Sequence, residues 1–333
     1  MPLHFVVAHA PDPETRRAII RFPFQTLSDS SPLYICKWEN PGPSESVSGF
    51  SDGTDILRSF FSILHSSSPT DGPRQDILFF IHGYQTSWSG LRKLLKRLES
   101  LYVLPPQSPI KHIVLFHWPS KNKISFSTYR EERLDAIDSG WALSQFLYQW
   151  AHFRLNSLKS LSNIKINLLC HSMGNYLFQN TIDFLSPEIR SFSGFFSHIL
   201  LAAADVDWNV FEVGNSLSFS GQLCERLTVY YNTYDHVLWL AEQQHRRPRL
   251  GRQGPSNMDE IILKGIDKDR LHFVQAGKTD PFRSADPREG LLHHWYYYAN
   301  PIVVDDIRAV LFTLSPQGRH SHSTSGGCFV LKQ

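Results

Sequence analysis

Short apolar runs alternate along the chain with longer segments in which apolar residues recur every three or four positions. Residues 77–81 and 164–169 are two such runs, and each has the length of a single strand. Strands that lack polar alternation are typical of parallel strands whose two faces are both covered. Helix-like segments separate the runs throughout. The pattern therefore predicts an α/β fold with one doubly wound, mostly parallel sheet and helices on both faces.

The predicted elements cover most of the chain. Strands are predicted at residues 3–8, 33–38, 77–81, 112–117, 164–169, 197–204, 227–231 and 271–276. Helices are predicted at residues 56–64, 88–101, 175–184, 237–244 and 303–314, with a long amphipathic helix whose apolar positions run from Leu134 to Phe153. The sequence has no internal repeat and no obvious linker. We expect a single domain over residues 1–314 and a flexible tail over residues 315–333.

Composition places the chain among folded globular proteins. Of its 333 residues, 41% are hydrophobic and 19% are charged. A net charge of +2 is too small to indicate a nucleic-acid partner. The N-terminal residues lack the basic start of a signal peptide, and no apolar run is long enough to span a membrane. We therefore expect a cytoplasmic protein with reduced thiols at its four cysteines: Cys36, Cys170, Cys224 and Cys328.

A serine lies where the apolar run 164–169 meets the helix-like segment 175–184. Strand, sharp turn and helix are the context of a nucleophile elbow, which lifts Ser172 Oγ above the edge of the sheet. The usual motif is G-x-S-x-G, and here Cys170 replaces the first glycine. The backbone N–H of Met173 would then face the oxyanion of an acyl-transfer reaction. The alternative is a serine that only caps a helix.

The strand predicted at residues 77–81 ends in His82-Gly83-Tyr84. In hydrolases with a nucleophile elbow, the loop after this strand supplies the second N–H of the oxyanion hole. Tyr84 is our candidate for that N–H, with Gln85 as the alternative. The ring of His82 is expected to organise the turn rather than to transfer protons. Gly83 is also compatible with an ordinary β-turn.

A serine hydroxyl needs a base, and the base needs a carboxylate that fixes its tautomer. The α/β-hydrolase order of nucleophile, acid and histidine is available along this chain. Asp235 follows the strand at residues 227–231 and is the favoured acid. Asp205 and Asp207 lie one strand earlier, where some hydrolases carry the acid. Each of these aspartates is also compatible with a helix N-cap.

The candidate bases are His293 and His294, which precede the last predicted helix. The residues alone do not distinguish between them. No H-E-x-x-H motif occurs and the carboxylates lack ligand spacing, so we expect neither a metal ion nor a cofactor. The basic loop at residues 246–252 either meets an anionic group of the substrate or is simply solvated.

Taken together, these motifs resemble a family of mostly bacterial α/β hydrolases grouped as domain of unknown function 900. The resemblance covers about residues 75–312. The matching pieces are Phe80-Ile81-His82-Gly83-Tyr84, Phe116-His117-Trp118-Pro119-Ser120, Tyr129, His171-Ser172-Met173-Gly174-Asn175, Ala203-Ala204-Asp205-Val206-Asp207, Asp235, Arg249-Leu250-Gly251, His294-Trp295-Tyr296-Tyr297 and Asp306. No single piece is specific for this family, but the order and spacing of the pieces together are.

The resemblance implies an α/β-hydrolase fold and a triad of Ser172, Asp235 and His294. It favours His294 over His293 because the family's histidine is followed by one residue and then an aromatic pair. It also implies that Asp205 and Asp207 belong to a structural feature outside the triad. The resemblance implies no particular substrate.

The sequence as a whole predicts a serine hydrolase that cleaves a carboxylic ester through an acyl-enzyme. Its expected partner is a small-molecule or lipid-like acyl substrate. A thioester or an amide, cleaved by the same triad, is the alternative substrate. The alternative from another class is a non-catalytic binding or scaffold protein with the same fold.

Overall fold

The computed structural model describes fifteen stretches of the chain. These are residues 4–8, 20–22, 33–39, 42–43, 60–65, 75–120, 125–156, 164–186, 189, 192–257, 261, 270–277, 291–312, 321–323 and 328–331. For residues 20–22, 33–39, 42–43, 321–323 and 328–330, only the backbone is described.

The described strands form one sheet. In chain order they are β1 (His4–Ala8), β2 (Ile20–Phe22), β3 (Leu33–Glu39), β4 (Gly42–Pro43), β5 (Asp76–Ile81), β6 (Ile110–His117), β7 (Ile166–His171), β8 (Phe196–Ala202), β9 (Cys224–Tyr231), β10 (Leu271–Gln275), β11 (Ser321–Ser323) and β12 (Cys328–Leu331). Across the sheet their order is β11-β12-β10-β9-β8-β7-β5-β6-β1-β3-β2, and β4 pairs with β3.

The middle of the sheet is parallel, as predicted. Parallel pairing runs without a break from β1 through β6, β5, β7, β8, β9 and β10 to β12. Antiparallel pairing joins β2, β3 and β4 at one side and β11 at the other. In the sheet, β5 lies between β6 and β7. The chain therefore passes from β5 to β6 on one side of β5 and then crosses to β7 on its other side. A reversal of this kind opens a crevice at the carboxyl ends of β5 and β7, where open α/β sheets bind their ligands.

The helices flank this sheet. They are α1 (residues 60–65), α2 (Trp88–Leu98), α3 (Phe126–Asn156), α4 (Met173–Leu185), α5 (Ser220–Leu223), α6 (His236–His245), α7 (Leu250–Gln253), α8 (Tyr296–Ala299) and α9 (Pro301–Phe312). A π-helical turn (Glu99–Val103) extends α2, and a 3₁₀ turn (Ser216–Phe219) precedes α5. Within the described residues, no helix combines the length and the apolar character needed to cross a membrane.

Two buried cores explain why the strand sequences are apolar on both faces. Phe79 and Ile81 of β5 join a core with α1, α3 and α4 that includes Phe60, Phe146 and Phe178. Leu78 and Phe80 join a second core with α2 and α9. Successive side chains of a strand point to opposite faces, so a strand covered by helices on both sides is apolar at every position.

The structure differs from the prediction mainly at the two ends of the sheet. Residues 321–323 and 328–331, within the predicted flexible tail, form β11 and β12, and Phe273 of β10 pairs with Cys328. These strands are short, and β12 joins the sheet through β10, which lies much earlier in the chain, so no local pattern marks its place; β11 pairs with β12. The other residues of the tail lie outside the described residues. Of the helix predicted at residues 56–64, residues 60–64 are described; they are helical, and the helix continues through residue 65.

Candidate active site

Ser172 occupies a strained turn at the carboxyl end of β7. Its backbone has φ 53° and ψ −126°, a conformation that non-glycine residues rarely adopt. Four hydrogen bonds hold its backbone. Ser172 N–H donates to Ala202 O at 3.0 Å, and Ser172 O accepts from Asn175 N–H at 3.0 Å, Asn175 Nδ2–H at 3.0 Å and Asp205 N–H at 3.2 Å. Strain of this kind persists only where the surrounding structure enforces it, and it concentrates at functional sites. The turn therefore has the geometry of a nucleophile elbow.

The turns after β5 and β7 touch each other, which explains two glycines. A Cβ on Gly174 would lie 2.5 Å from His82 O, and a Cβ on Gly83 would lie 2.7 Å from Ser172 Cβ. The close approach that requires glycine at Gly83 and Gly174 does not apply to Cys170, because its side chain is buried in the core beneath α3 and α4. Burial raises the pKa of its thiol well above the usual value. Cysteine therefore fits where the usual motif has glycine, and its thiol stays protonated and inert.

Met173 is the first residue of α4. The first N–H groups of a helix have no acceptor within it and lie at the positive end of the helix dipole. The Met173 N–H therefore has the geometry expected of an oxyanion donor beside Ser172.

A pair of buried histidines holds the turn after β5. His82 Nδ1 lies 2.8 Å from Gly83 O, which only accepts hydrogen bonds, so Nδ1 carries the proton. His82 Nε2 therefore accepts, and His117 Nδ1–H donates to it at 2.8 Å. Burial lowers the pKa of His82 to about 4 and that of His117 well below its usual value. Both rings are neutral at neutral pH, and the His82 ring organises the turn, as expected.

This hydrogen bond also orients the Tyr84 N–H. Gly83 O and Tyr84 N–H belong to one planar peptide and point in opposite directions. The bond from His82 to Gly83 O therefore fixes the direction of the Tyr84 N–H. The alternative donor, Gln85 N–H, donates to Glu132 Oε2 at 3.3 Å. The Gln85 N–H is therefore committed to Glu132, and the Tyr84 N–H stays the candidate donor.

Glu132 is a buried carboxylate that the sequence analysis missed. It lies on α3, and besides the Gln85 N–H it accepts a hydrogen bond from Ser120 Oγ at 3.2 Å. A glutamate within a helix carries no local signal of such a role, because its partners come from two distant loops.

Asp235 and His294 are in direct contact. His294 Nδ1 lies 2.7 Å from Asp235 Oδ2, and both side chains are buried. Asp235 Oδ1 accepts the Leu238 N–H at 2.8 Å and caps α6. The sequence presented a helix cap and an acid as alternative roles for Asp235. Its two carboxylate oxygens are compatible with both roles, because Oδ1 caps α6 and Oδ2 contacts His294. Burial raises the pKa of Asp235, and the attraction of His294 opposes this shift only in part.

The two adjacent histidines have different surroundings. His293 has φ 52°, and its ring lies near the rings of Tyr234 and His236, at centroid distances of 6.2 and 6.0 Å. The His294 ring instead lies 4.7 Å from the ring of His171, the residue before Ser172. His171 Nε2–H donates to His294 O at 3.3 Å.

The three triad candidates therefore lie at one edge of the sheet. The structure joins Asp235 to His294, and His171 links the His294 segment to the serine turn. Ser172 Oγ makes no hydrogen bond to any residue that the structure describes. Bonds of this kind are often long in unliganded enzymes and shorten when substrate binds.

Asp205 and Asp207 contact arginines rather than a histidine base. Arg249 is buried, with Nε 3.5 Å from Asp205 Oδ1 and Nη1 2.7 Å from Asp207 Oδ1. Tyr129 Oη donates to Asp205 Oδ2. Burial opposes ionisation of Asp205, but Arg249 and Arg133 outweigh it and hold its pKa below the usual value. These two aspartates anchor a loop, as the family resemblance implied.

The basic loop at residues 246–252 is solvated only in part, because Arg246 and Arg247 are exposed and Arg249 is buried. Arg249 is buried in the ion pairs above, and Arg252 Nη1 donates to Glu242 Oε2 at 2.7 Å. Exposed Arg247 pairs with Asp207 at 3.0 Å. Gly251 packs against the Ala203–Ala204 backbone with no room for a Cβ. Most of the loop's charge is therefore neutralised within the protein.

Within the described residues, no group of three or more His, Cys, Asp or Glu side chains is arranged to hold a metal ion. Cys170 and Cys224 are free and buried.

A parallel sheet with a strained serine turn at its strand reversal, flanked by a histidine–aspartate pair, defines the α/β-hydrolase class. The family comparison agrees and is more specific. The chain belongs to the α/β hydrolases of unknown function called DUF900, whose family model matches residues 66–312. This confirms the resemblance found in the sequence, and with it the fold class. Family and fold together identify the chain as a hydrolase in the broad sense.

Solved structures resemble the chain only distantly. A dienelactone hydrolase-like promiscuous phosphotriesterase, P91 from metagenomic libraries, is 10% identical, with a TM-score of 0.36 over 90% of this chain and 97% of its own. Phospholipase PlaB from Legionella pneumophila is 14% identical, with a TM-score of 0.27 over 65% of this chain and 41% of its own. Lipase B from Aspergillus fumigatus is 12% identical, with a TM-score of 0.26 over 60% of this chain and 49% of its own. No curated protein matches the chain.

Proposed function

We propose that this protein is a serine hydrolase that cleaves a carboxylic ester through an acyl-enzyme on Ser172. The observation that carries the proposal is the 2.7 Å contact between His294 Nδ1 and Asp235 Oδ2, at the edge of the sheet where Ser172 sits in its strained turn. A paired histidine beside a strained serine is the arrangement that turns a weak nucleophile into a strong one.

The pairing supports His294 as the base. Because Asp235 is an acceptor when ionised, His294 Nδ1 carries the proton and Nε2 keeps its lone pair. The Leu238 N–H occupies the other oxygen of Asp235, so the carboxylate cannot rotate freely. Its negative charge then stabilises the imidazolium that forms when His294 accepts the serine proton.

The reaction follows from these roles. Ser172 Oγ attacks the carbonyl carbon while His294 Nε2 takes its proton, and the Met173 and Tyr84 N–H groups bind the oxyanion. The C–O bond to the alcohol then breaks, and the alcohol oxygen takes the proton from Nε2. Water attacks the acyl-enzyme and gives a proton to His294. That proton returns to Ser172 Oγ as the carboxylic acid leaves.

An ester is the favoured substrate because its alkoxide leaves more easily than the amine of an amide. A thioester is open to the same attack. The rings of Tyr84 and Tyr129 meet edge to face, with centroids 5.6 Å apart. We propose that they form an aromatic wall for the acyl group.

A fluorophosphonate probe tests the nucleophile. The wild type should be labelled and should hydrolyse short p-nitrophenyl esters, and Ser172→Ala should do neither. Ser144→Ala, which changes a buried serine on α3, is the matched control and should behave as the wild type. If the folded wild type neither labels nor turns over any short ester, the catalytic proposal fails and a binding or scaffold role takes its place.

The choice between the adjacent histidines is tested separately. His294→Ala should lower kcat about 10³-fold or more, because it removes the base. His293→Ala should keep most of the activity. The opposite result would move the role of the base to His293.

A further inference from the structure

Arg133 has an unusual position on α3. Its guanidinium lies over the ring of Tyr176, with Cζ 3.5 Å from the ring centroid. Tyr176 comes four residues after Ser172, in the first turn of α4, which begins directly after the serine turn. The stacked ring fixes the plane of the guanidinium at the edge of the sheet where the serine turn lies.

A chain of backbone contacts ties Arg133 to the nucleophile. Arg133 Nη1 donates to Asp205 O at 3.4 Å, and Asp205 N–H donates to Ser172 O at 3.2 Å. Arg133 Nη1 also lies 3.8 Å from Asp205 Oδ2. Only one residue therefore separates the guanidinium from the serine backbone.

The ion pairs around Asp205 leave a surplus of positive charge. Asp205 and Asp207 supply two negative charges, and Arg249 and Arg247 balance them. Arg133 adds a third cation. His245 adds none near neutral pH, because burial, with further contributions from Arg249 and Arg133, lowers its pKa to about 4.

Among the described residues, Arg133 bonds to Asp205 through Nη1 and to the Tyr129 hydroxyl, and its side chain is 15% exposed. Arg249, in contrast, is 1% exposed and committed to two carboxylates. A guanidinium has five N–H donors. One with a fixed plane and donors beyond these contacts is suited to bind a carboxylate or a phosphate.

A second arginine on α3 shows what a purely structural role looks like. Arg154 also lies over an aromatic ring, that of Phe195, and its Nη1 also donates to a backbone carbonyl, Phe195 O at 2.9 Å. Arg154 lies near the C-terminal end of α3, about 20 residues from Arg133, and faces β8 at its start. Stacking and backbone bonding thus occur at both ends of the helix, but only Arg133 lies beside the serine turn.

We propose that Arg133 forms a subsite for an anionic group of the substrate, so that the preferred ester carries a carboxylate or a phosphate. This rests on the proposed serine-hydrolase function. The guanidinium binds the anion through Nε and Nη2, while Nη1 stays on Asp205. The anionic group then holds the ester in place for attack by Ser172.

Two pairs of esters of matched size test the subsite. In the first pair the charge lies on the acyl side: mono-(4-nitrophenyl) glutarate against 4-nitrophenyl hexanoate. In the second it lies on the alcohol side: 3-acetoxybenzoate against 3-methylphenyl acetate. We expect the wild type to prefer the anionic ester in at least one pair. Arg133→Leu should lower kcat/KM for that ester about tenfold or more and leave the neutral ester within about twofold.

Arg154→Leu is the matched control, and it should keep the wild-type ratio of kcat/KM values. Arg133→Lys keeps the charge and loses the planar fork, so it should recover part of the preference. Equal losses for charged and neutral esters in Arg133→Leu, or the same loss of ratio in Arg154→Leu, would overturn the subsite. So would a wild type without any preference for the anionic ester in either pair.

A binding measurement separates the subsite from the chemistry. Glutarate titrated into Ser172→Ala, followed by calorimetry, should bind at least tenfold more tightly than it binds Ser172→Ala/Arg133→Leu. If the wild type cleaves no ester and this difference is present, the proposed hydrolysis fails and the anion subsite stands. If ester cleavage is present and the difference is absent, the subsite fails and the hydrolase stands.

Discussion

Two buried aspartates follow neighbouring strands of the sheet, and their surroundings give them opposite properties. Asp205 follows β8 and contacts Arg249 and Arg133, which hold its pKa below the usual value. Asp235 follows β9 and contacts His294 and the N-terminus of α6, and burial raises its pKa. Both side chains are almost completely inaccessible to solvent.

The difference shows that the partner of a buried carboxylate decides its chemistry. Permanent cations keep Asp205 ionised and commit it to one arrangement, which suits a loop anchor. Asp235 faces an imidazole, whose charge changes during a reaction, so the pair can respond to proton transfer. Both loops lie at the carboxyl edge of the sheet, but only the second places its carboxylate against a histidine.

The largest expected effect comes from Asp235→Asn. Asparagine keeps an oxygen for the Leu238 N–H, so the cap on α6 and the fold should persist. Its amide group favours the wrong tautomer of His294, and kcat should fall about 10⁴-fold. Ester hydrolysis measured beside circular dichroism checks this result.

Asp205→Asn is the control within the comparison, and its kcat should fall by less than about tenfold. If the two substitutions lower kcat equally, Asp235 is not distinguished as the acid.

The second effect concerns stability. Asp205→Asn leaves the buried Arg249 without one of its carboxylates and should lower the free energy of unfolding by about 3 kcal/mol. Arg247→Ala removes the exposed ion pair to Asp207 and should cost about 1 kcal/mol or less. Urea denaturation of both variants provides the measurement. Similar losses in the two would mean that burial does not strengthen the Asp205 pairs.

The third prediction concerns the pH dependence of stability that His82 causes. The two aspartate variants should therefore be compared at one pH, above the range in which His82 lowers the stability. His82 has a folded-state pKa of about 4 against about 6.5 when unfolded, so the unfolded chain binds more protons between these values. The contribution of neutral His82 to the free energy of unfolding is therefore fully present above pH 6.5 and decreases as the pH drops toward 4. Between pH 7 and pH 5 this residue alone should lower the free energy of unfolding by about 2 kcal/mol.

Urea denaturation of the wild type at pH 7, 6 and 5 checks the decrease, and an NMR titration of the His82 ring checks its cause. A titration of His82 near pH 6.5 in the folded protein would contradict the expectation.

Much of the fold was predictable because the central strands are covered on both sides. Their continuous apolar runs marked β5, β6, β7 and β8, and the alternation with helices indicated the parallel sheet. The strands at both edges were harder. β2, β4, β11 and β12 have two to four residues, which is too short for a local pattern, and pairing with a neighbouring strand makes them strands.

The site candidates were predictable as individual residues, and their roles remain predictions. Ser172 and Gly174 stood out because a strained turn at a strand end requires small neighbours, which is a local property. Glu132 and Arg133 gave no such signal, because acidic and basic residues are common on the exposed faces of helices. The burial of Arg249 was equally hidden in a loop that looked solvated.

The sequence by itself determined the periodic elements, the class of sheet and the order of serine, aspartate and histidine along the chain, because these depend on neighbouring residues. Only the tertiary structure decided which aspartate meets which cation, which of two adjacent histidines faces Asp235, and which arginine lies beside the serine turn. Those choices depend on strand order and on side-chain packing between residues far apart in the chain, such as Arg249 with Asp207, 42 residues apart, and His171 with His294, 123 residues apart. Nothing in the local chemistry of either member records such a pairing.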